Sequence, residues 1–279
     1  MGTSMDTTNN NLLVEINAGV ARLILNRPDV HNAFDDILIS KIIAALNEIE
    51  KNDDVRVVVL TSHGKHFSAG ADLNWMKRMA TLTEQENRHD AQELAELMHK
   101  LNSLNKPTIA LVNGAAYGGA VGLVACCDMA IATARSRFCL SEVKIGLSPA
   151  VISPFVVSAM GERAARRYFL TAQAFDANKA AQLGLIHEVA SDESELENIG
   201  NDFIKALLQN SPQAMNKTKQ LIKEVSRSEI NQNMRDYTVN LIASIRVSEE
   251  GQEGLASFLE KRQPNWAESN AETKETGEK

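Results

Sequence analysis

The chain has 279 residues, 44% of them apolar and 23% charged, which is ordinary for a globular protein and long enough for one large domain or a domain with a helical appendage. A formal net charge of -7 and a pI near 5.5 speak against a phosphate-backbone binder, whose affinity rests on clustered Lys and Arg. Cys126, Cys127 and Cys139 make neither a disulfide framework nor a CxxC pair, so a reducing cytoplasm is the expected compartment, and no apolar run reaches the ~18 residues of a membrane span.

Residues 1–11 are polar, lack the apolar or Arg-rich stretch of a targeting segment, and read as a disordered leader. Two apolar runs, 12–16 and 20–25, flank Asn17-Ala18-Gly19 and predict a hairpin. Apolar residues Ile37, Leu38, Ile42, Ile43, Leu46 and Ile49 recur at helical spacing across 35–51, and 55–60 is a β-branched strand. A first glycine turn, Ser68-Ala69-Gly70-Ala71-Asp72, leads into a helix-like stretch. Thr83 with Glu86 is a capping box opening a helix to Leu104. After Pro107 come a strand over 108–112, a second glycine turn over 113–120, a helix over 120–127 and a strand over 129–132. This strand–helix alternation implies a covered parallel sheet. Helices are expected over 151–160, 163–170 and 176–183, the last stopped by Gly184, with one more strand over 186–189. From about Ser191 only helices follow; Ser211-Pro212 starts one and Gly251 and Gly254 loosen another. The charged segment 267–279 reads as a disordered tail.

Both glycine turns follow a strand and precede a helix, where small residues leave backbone N–H groups uncovered and without intrahelical acceptors. Two such turns facing one point would form an oxyanion hole for a developing enolate. Tight packing is the plainer use of Gly114, Gly118, Gly119 and Gly122. A dinucleotide fingerprint is the third reading, but the spacing is G-x-x-x-G-G-x-x-G rather than G-x-G-x-x-G, and no Gly-Lys-Ser/Thr makes a P-loop. Glu142, in the loop 141–149, is the candidate acid/base. The six histidines show no ligand spacing, so no metal is expected, and the cysteines sit in apolar surroundings as packing residues.

The runs 66–73, 113–119 ending in Cys127-Asp128, 138–149, and Asn26-Arg27-Pro28 with Asn32-Ala33 resemble the enoyl-CoA hydratase/isomerase (crotonase) superfamily over roughly residues 12–265. The resemblance implies an α/β fold, a repeated ββα superhelix with a C-terminal helical region. The spiral core would span 12–190, with CoA and the active site, and the helical oligomerisation region 191–266. It implies that the amides of Ala71 and Gly119 hold a thioester carbonyl and that Glu142 moves the proton. The first of two glutamates used by typical hydratases of the family falls here on Gly122, where a water is expected to help instead. By the same resemblance Arg27, Ala33, Ala69, Asp72 and Leu73 border the CoA path, and Phe258 and Lys261, in the run 258–262, complete it. An ordinary amphipathic helix end explains that run equally well. CoA is part of the substrate, and no further cofactor is implied.

Runs 67–79 and 139–157 look most like bacterial hydratases acting on methylglutaconyl-CoA in leucine degradation and their geranyl-pathway counterparts. Such substrates carry a distal carboxylate, for which Lys77, Arg78 and Lys144 are candidates, although surface lysines and arginines are usually just solvated. Trp75, Lys77, Gly122 and Pro149 are the expected acyl-pocket residues, with core packing the alternative for Trp75. A Δ3,Δ2-enoyl-CoA isomerase using one glutamate is the rival chemistry. RNA binding, known for some relatives, is the rival of another class, and the acidic charge opposes it. A homotrimer or dimer of trimers is implied.

Overall fold

The structure, a computed structural model, describes residues 11–268; most of the expected leader and nearly all of the expected tail lie outside the described residues. Ala18 and Gly19 take φ of 47° and 81°, as a two-residue primed turn requires, so β1 (Leu12–Asn17) and β2 (Val20–Leu25) pair antiparallel with Leu12 opposite Leu25. Asp35 caps α1 (Asp36–Lys51) by accepting the Leu38 N–H, and the helix buries Leu38, Ile39, Ile42, Leu46 and Ile49. Ile37, expected on that face, is exposed and Ile39 takes its place.

The strands β3 (Val57–Ser62), β4 (Thr108–Val112), β6 (Met129–Thr133) and β9 (Glu188–Ala190) extend the hairpin into a six-stranded sheet ordered β1-β2-β3-β4-β6-β9, parallel from β2 onward. Its interior strands are apolar on both faces because both faces are covered. Val58, Leu60, Ala110 and Val112 face the main core with α1, α3 (Glu84–Ser103) and α4 (Gly119–Cys126). Val57, Val59, Ile109, Leu111 and Ile131 face Leu196 and Ile204 of α8 (Glu193–Leu208). The capping box of Thr83 and Glu86 opens α3 as expected.

A second sheet escapes sequence reasoning. It consists of β5 (Ala116–Tyr117), β7 (Arg137–Cys139) and β8 (Phe175–Asp176), in the order β5-β7-β8, too short for any periodicity to register. Two single bridges, Ser68 with Ala116 and Phe34 with Ala71, complete the stitching of the glycine turns to each other and to the loop after β2.

Three helices, α5 (Ser153–Met160), α6 (Glu162–Thr171) and α7 (Ala177–Gln182), precede β9; after α8 come α9 (Pro212–Val225), α10 (Gln232–Arg246), α11 (Glu249–Glu260) and α12 (Asn265–Glu268). The last helix takes residues 267 and 268 out of the expected tail. Gly251 does not loosen α11: a Cβ there would stand 2.0 Å from the Ile245 carbonyl oxygen, so close helix packing requires the glycine. Among the described residues no helix is long and apolar enough to cross a membrane.

Candidate active site

The two glycine turns are held back to back. Gly70 has φ of 91°, open to glycine, and a Cβ on it would lie 2.7 Å from the Tyr117 carbonyl oxygen. Phe34 donates to the Gly70 carbonyl and accepts from the Asp72 amide, both at 2.9 Å. In such a parallel pairing the intervening residue, Ala71, turns its own N–H to the other side. Gly119 begins α4, and the carbonyl four residues earlier, on Ala115, already accepts the Ser68 amide. Neither the Ala71 nor the Gly119 amide donates to another group among the described residues, and both residues are half-exposed rather than sealed.

Glu142 reaches the second turn from β7. The Gly118 amide donates to the Cys139 carbonyl at 2.8 Å, which ties the second turn to β7. Three residues later Glu142 opens a single 3-10 turn, Glu142–Ile145, closed by Gly146 in the left-handed region. A Cβ on Gly118 would stand 3.3 Å from Glu142 Oε1, so the carboxylate lies directly against the turn that presents the Gly119 amide. Its Oε2 is buried without a hydrogen-bond partner among the described residues. Burial pushes the Glu142 carboxyl above the usual range, opposed in part by its own backbone amide. A carboxyl with a raised pKa and a free oxygen, set against the turn that carries one of the two unclaimed amides, can take a proton from a carbon acid or from water, and return it.

The expected CoA residues divide. Ala69 is exposed, with its amide donating to the His31 carbonyl at 2.9 Å, and Leu73 is exposed at the start of α2 (Leu73–Met79). Ala33 is buried. Asp72 is also buried and serves as the α2 cap, accepting from the amides of Asn74 at 2.8 Å and Trp75 at 3.3 Å. Burial opposes its ionisation, but those two donors and the Arg27 guanidinium outweigh that effect and hold its carboxyl below the usual range. Arg27 is committed to Asp35, Asp72 and the Ala33 carbonyl, which makes it a brace of the turn rather than a free cation for a phosphate. Phe258 and Lys261 lie exposed at the end of α11, with Lys261 in the left-handed region at its C-cap.

In the expected acyl pocket, Trp75 is a core residue, its indole N–H donating to Asp90 and its ring 6.4 Å from that of Phe34. Pro149 is buried and Lys77 exposed. Arg78 is paired with Asp36, whereas Lys77 and Lys144 make no ion pair among the described residues. Gly122 is buried, and a Cβ on it would stand 2.3 Å from Ile152 Cγ2 and 3.2 Å from Met98 Sδ, so hydrocarbon closes round the point where a side chain at 122 would begin. Phe34, Gly118 and Ile152 were not expected as site residues. Phe34 Cζ lies 2.5 Å from where a Gly119 Cβ would be, forming the wall beside that amide. The turn itself signals Gly118, but nothing in one sequence marks Phe34 or Ile152.

The family model for enoyl-CoA hydratase/isomerase matches residues 15–269. The chain belongs to the enoyl-CoA hydratase/isomerase family. It is thus an enzyme of the crotonase superfamily, with the expected ββα fold and C-terminal helices. Among its relatives, the short-chain-enoyl-CoA hydratase of Clostridium acetobutylicum is 31% identical over 255 residues, 91% of this chain and 96% of that one. An enoyl-CoA hydratase structure from Shewanella pealeana superposes with a TM-score of 0.89 at 52% identity, covering 92% of this chain and 96% of the other. Pseudomonas aeruginosa AtuE superposes with a TM-score of 0.88 at 34% identity, covering 92% and 99%.

Proposed function

We propose that this enzyme hydrates an α,β-unsaturated acyl-CoA thioester, with 3-methylglutaconyl-CoA as substrate and 3-hydroxy-3-methylglutaryl-CoA as product, and that Ala71, Gly119 and Glu142 perform the reaction. The observation that carries this is the Glu142 carboxylate, with Oε1 against the turn that offers the Gly119 amide and Oε2 buried without a hydrogen-bond partner among the described residues.

One carboxylate is enough for a balanced addition. Glu142 takes a proton from water as the water oxygen bonds to the β-carbon, and the electron pair of the double bond moves onto the thioester oxygen. The Ala71 and Gly119 amides hold that charge; losing one such donor typically costs ~10²–10³ in rate. Glu142 then returns its proton to the α-carbon, the carbonyl re-forms, and the elements of one water have been added. Lys77 and Lys144, the two cations of the expected set without ion pairs among the described residues, are the candidates to meet the distal carboxylate. The cell compartment proposed is the cytoplasm, and the assembly a homotrimer or dimer of trimers.

Isomerisation of a 3-enoyl thioester is the second reading, favoured by Ile152 occupying the space beside Gly122. There Glu142 would carry a proton from C2 to C4 with no water consumed. The deciding assay offers 3-methylglutaconyl-CoA, crotonyl-CoA and 3-hexenoyl-CoA separately and weighs the products. A gain of one water on 3-methylglutaconyl-CoA is the expected result; conversion of 3-hexenoyl-CoA to the 2-enoyl isomer, separated from it by chromatography, with no water gained on any of the three, establishes isomerisation instead.

A further inference from the structure

We infer that Ile152 is a specificity-determining residue which, interlocked with Gly122, confines proton transfer in this enzyme to the single carboxylate of Glu142. Gly118 is the cap residue just before α4, with a non-helical φ of 55°, and Gly122 lies in the first turn of the helix. Gly118 meets the Glu142 carboxylate, with 3.3 Å from a built Cβ to Oε1. Gly122 meets Ile152, whose Cγ2 and Cβ would lie 2.3 and 2.7 Å from a built Cβ. The start of α4 is therefore packed by the acid/base group at its cap and by the hydrocarbon plug in its first turn.

The plug is rigid. Ile152 is 2% exposed, is β-branched, and stands at the N-cap of α5, so neither its side chain nor its backbone can yield the roughly 1 Å that any side chain at 122 would need. Met98, the next neighbour at 3.2 Å, ends in a flexible thioether and could move. A carboxylate at 122 is thus excluded by Ile152 before any question of its chemistry arises. The pair of residues makes the centre one-sided: protons enter and leave by Glu142.

The inference rests on the one-carboxylate centre of the proposed function, and it is tested by moving the carboxylate. In a Glu142→Gln background, Gly122→Glu with Ile152 intact is expected to give no recovery of turnover, whereas Gly122→Glu combined with Ile152→Gly is expected to recover at least tenfold over Glu142→Gln alone. A parallel thermal-unfolding cycle uses Gly122→Ala and Ile152→Gly, with Ile152→Ala as the milder partner if the glycine variant does not fold. The loss of midpoint caused by Gly122→Ala should shrink when Ile152 is truncated. Equal rescue with Ile152 intact, a folded triple variant no better than Glu142→Gln, or independent effects in the thermal cycle would each overturn the inference. Rescue is scored on whichever enoyl thioester the unmodified enzyme turns over, so failure of 3-methylglutaconyl-CoA as substrate is read separately.

Discussion

Arg27 bridges Asp35 at 3.0 Å and Asp72 at 3.1 Å, and so one guanidinium fastens the cap of α1 to the cap of α2. Its third contact, 2.6 Å to the Ala33 carbonyl, holds the loop that carries Phe34. Arg27→Gln leaves two carboxylates facing each other without their cation, at an expected cost of about 3 kcal/mol in unfolding free energy. Arg27→Lys should recover part of that, since a point charge cannot serve three acceptors with the geometry of a planar fork. Denaturant titration of the two variants checks the order; equal stability of Arg27→Gln and the unmodified enzyme would refute the brace.

Glu142 combines function and fold in opposite directions. Because burial raises its folded pKa, its stabilising contribution is present below the ordinary carboxylate pKa and is lost as pH rises through the raised value. Glu142→Gln should therefore match the unmodified enzyme in midpoint near pH 4 and exceed it at pH 8. Its turnover should fall by ~10²–10⁴, the usual worth of a positioned acid/base. The acid limb of kcat/KM in the unmodified enzyme should lie above the ~4.3 of an ordinary glutamate. A variant that is less stable at pH 8 yet fully active contradicts both halves.

Gly70 tests whether the position of the amides matters apart from their presence. Gly70→Ala places a methyl 2.7 Å from the Tyr117 carbonyl oxygen on a residue whose φ is 91°, so the turns must separate. The expected outcome is a kcat lowered by about 10²-fold, as for a misplacement of about 1 Å, with Glu142 chemically intact. Preserved kcat with only a lower unfolding midpoint would show that the spacing of the two turns is not catalytic.

What could be read from the chain alone follows the length of its elements. The hairpin, α1, α3 and β4 carry their own periodicity, turn or cap, and with the strands expected over 55–60 and 129–132 they imply a covered parallel sheet, though not its strand order. The small sheet that brings Ser68, Ala116 and Cys139 together has strands of two or three residues, and its pairing is set by tertiary contacts alone. The same limit applies at the site. Glycines announce the turns, and the resemblance points to Glu142, but the bracing of Arg27 and the plugging of Gly122 depend on which side chains arrive from afar. Asp72 shows the ambiguity well: one residue fits both a ligand border and a helix cap, and only its two amide donors identify the cap.

The end of α11 supplies the test of assembly. Phe258 and Leu259 are 80% and 77% exposed, adjacent, and followed by the Arg262 guanidinium that grips Glu253 through two 2.7 Å contacts. That ion pair fixes the helix end, so the two apolar side chains are presented on a held surface rather than a fraying one. With Val247 and Leu255 also exposed nearby in sequence, the proposed trimer would bury this face against a second copy. Phe258→Asp with Leu259→Asp should shift the sedimenting species from trimer or hexamer to monomer and raise KM for acyl-CoA, if the helix end also completes the CoA path. A double variant that sediments as the unmodified enzyme does would remove α11 from the interface, and unchanged KM would remove Phe258 from the CoA path.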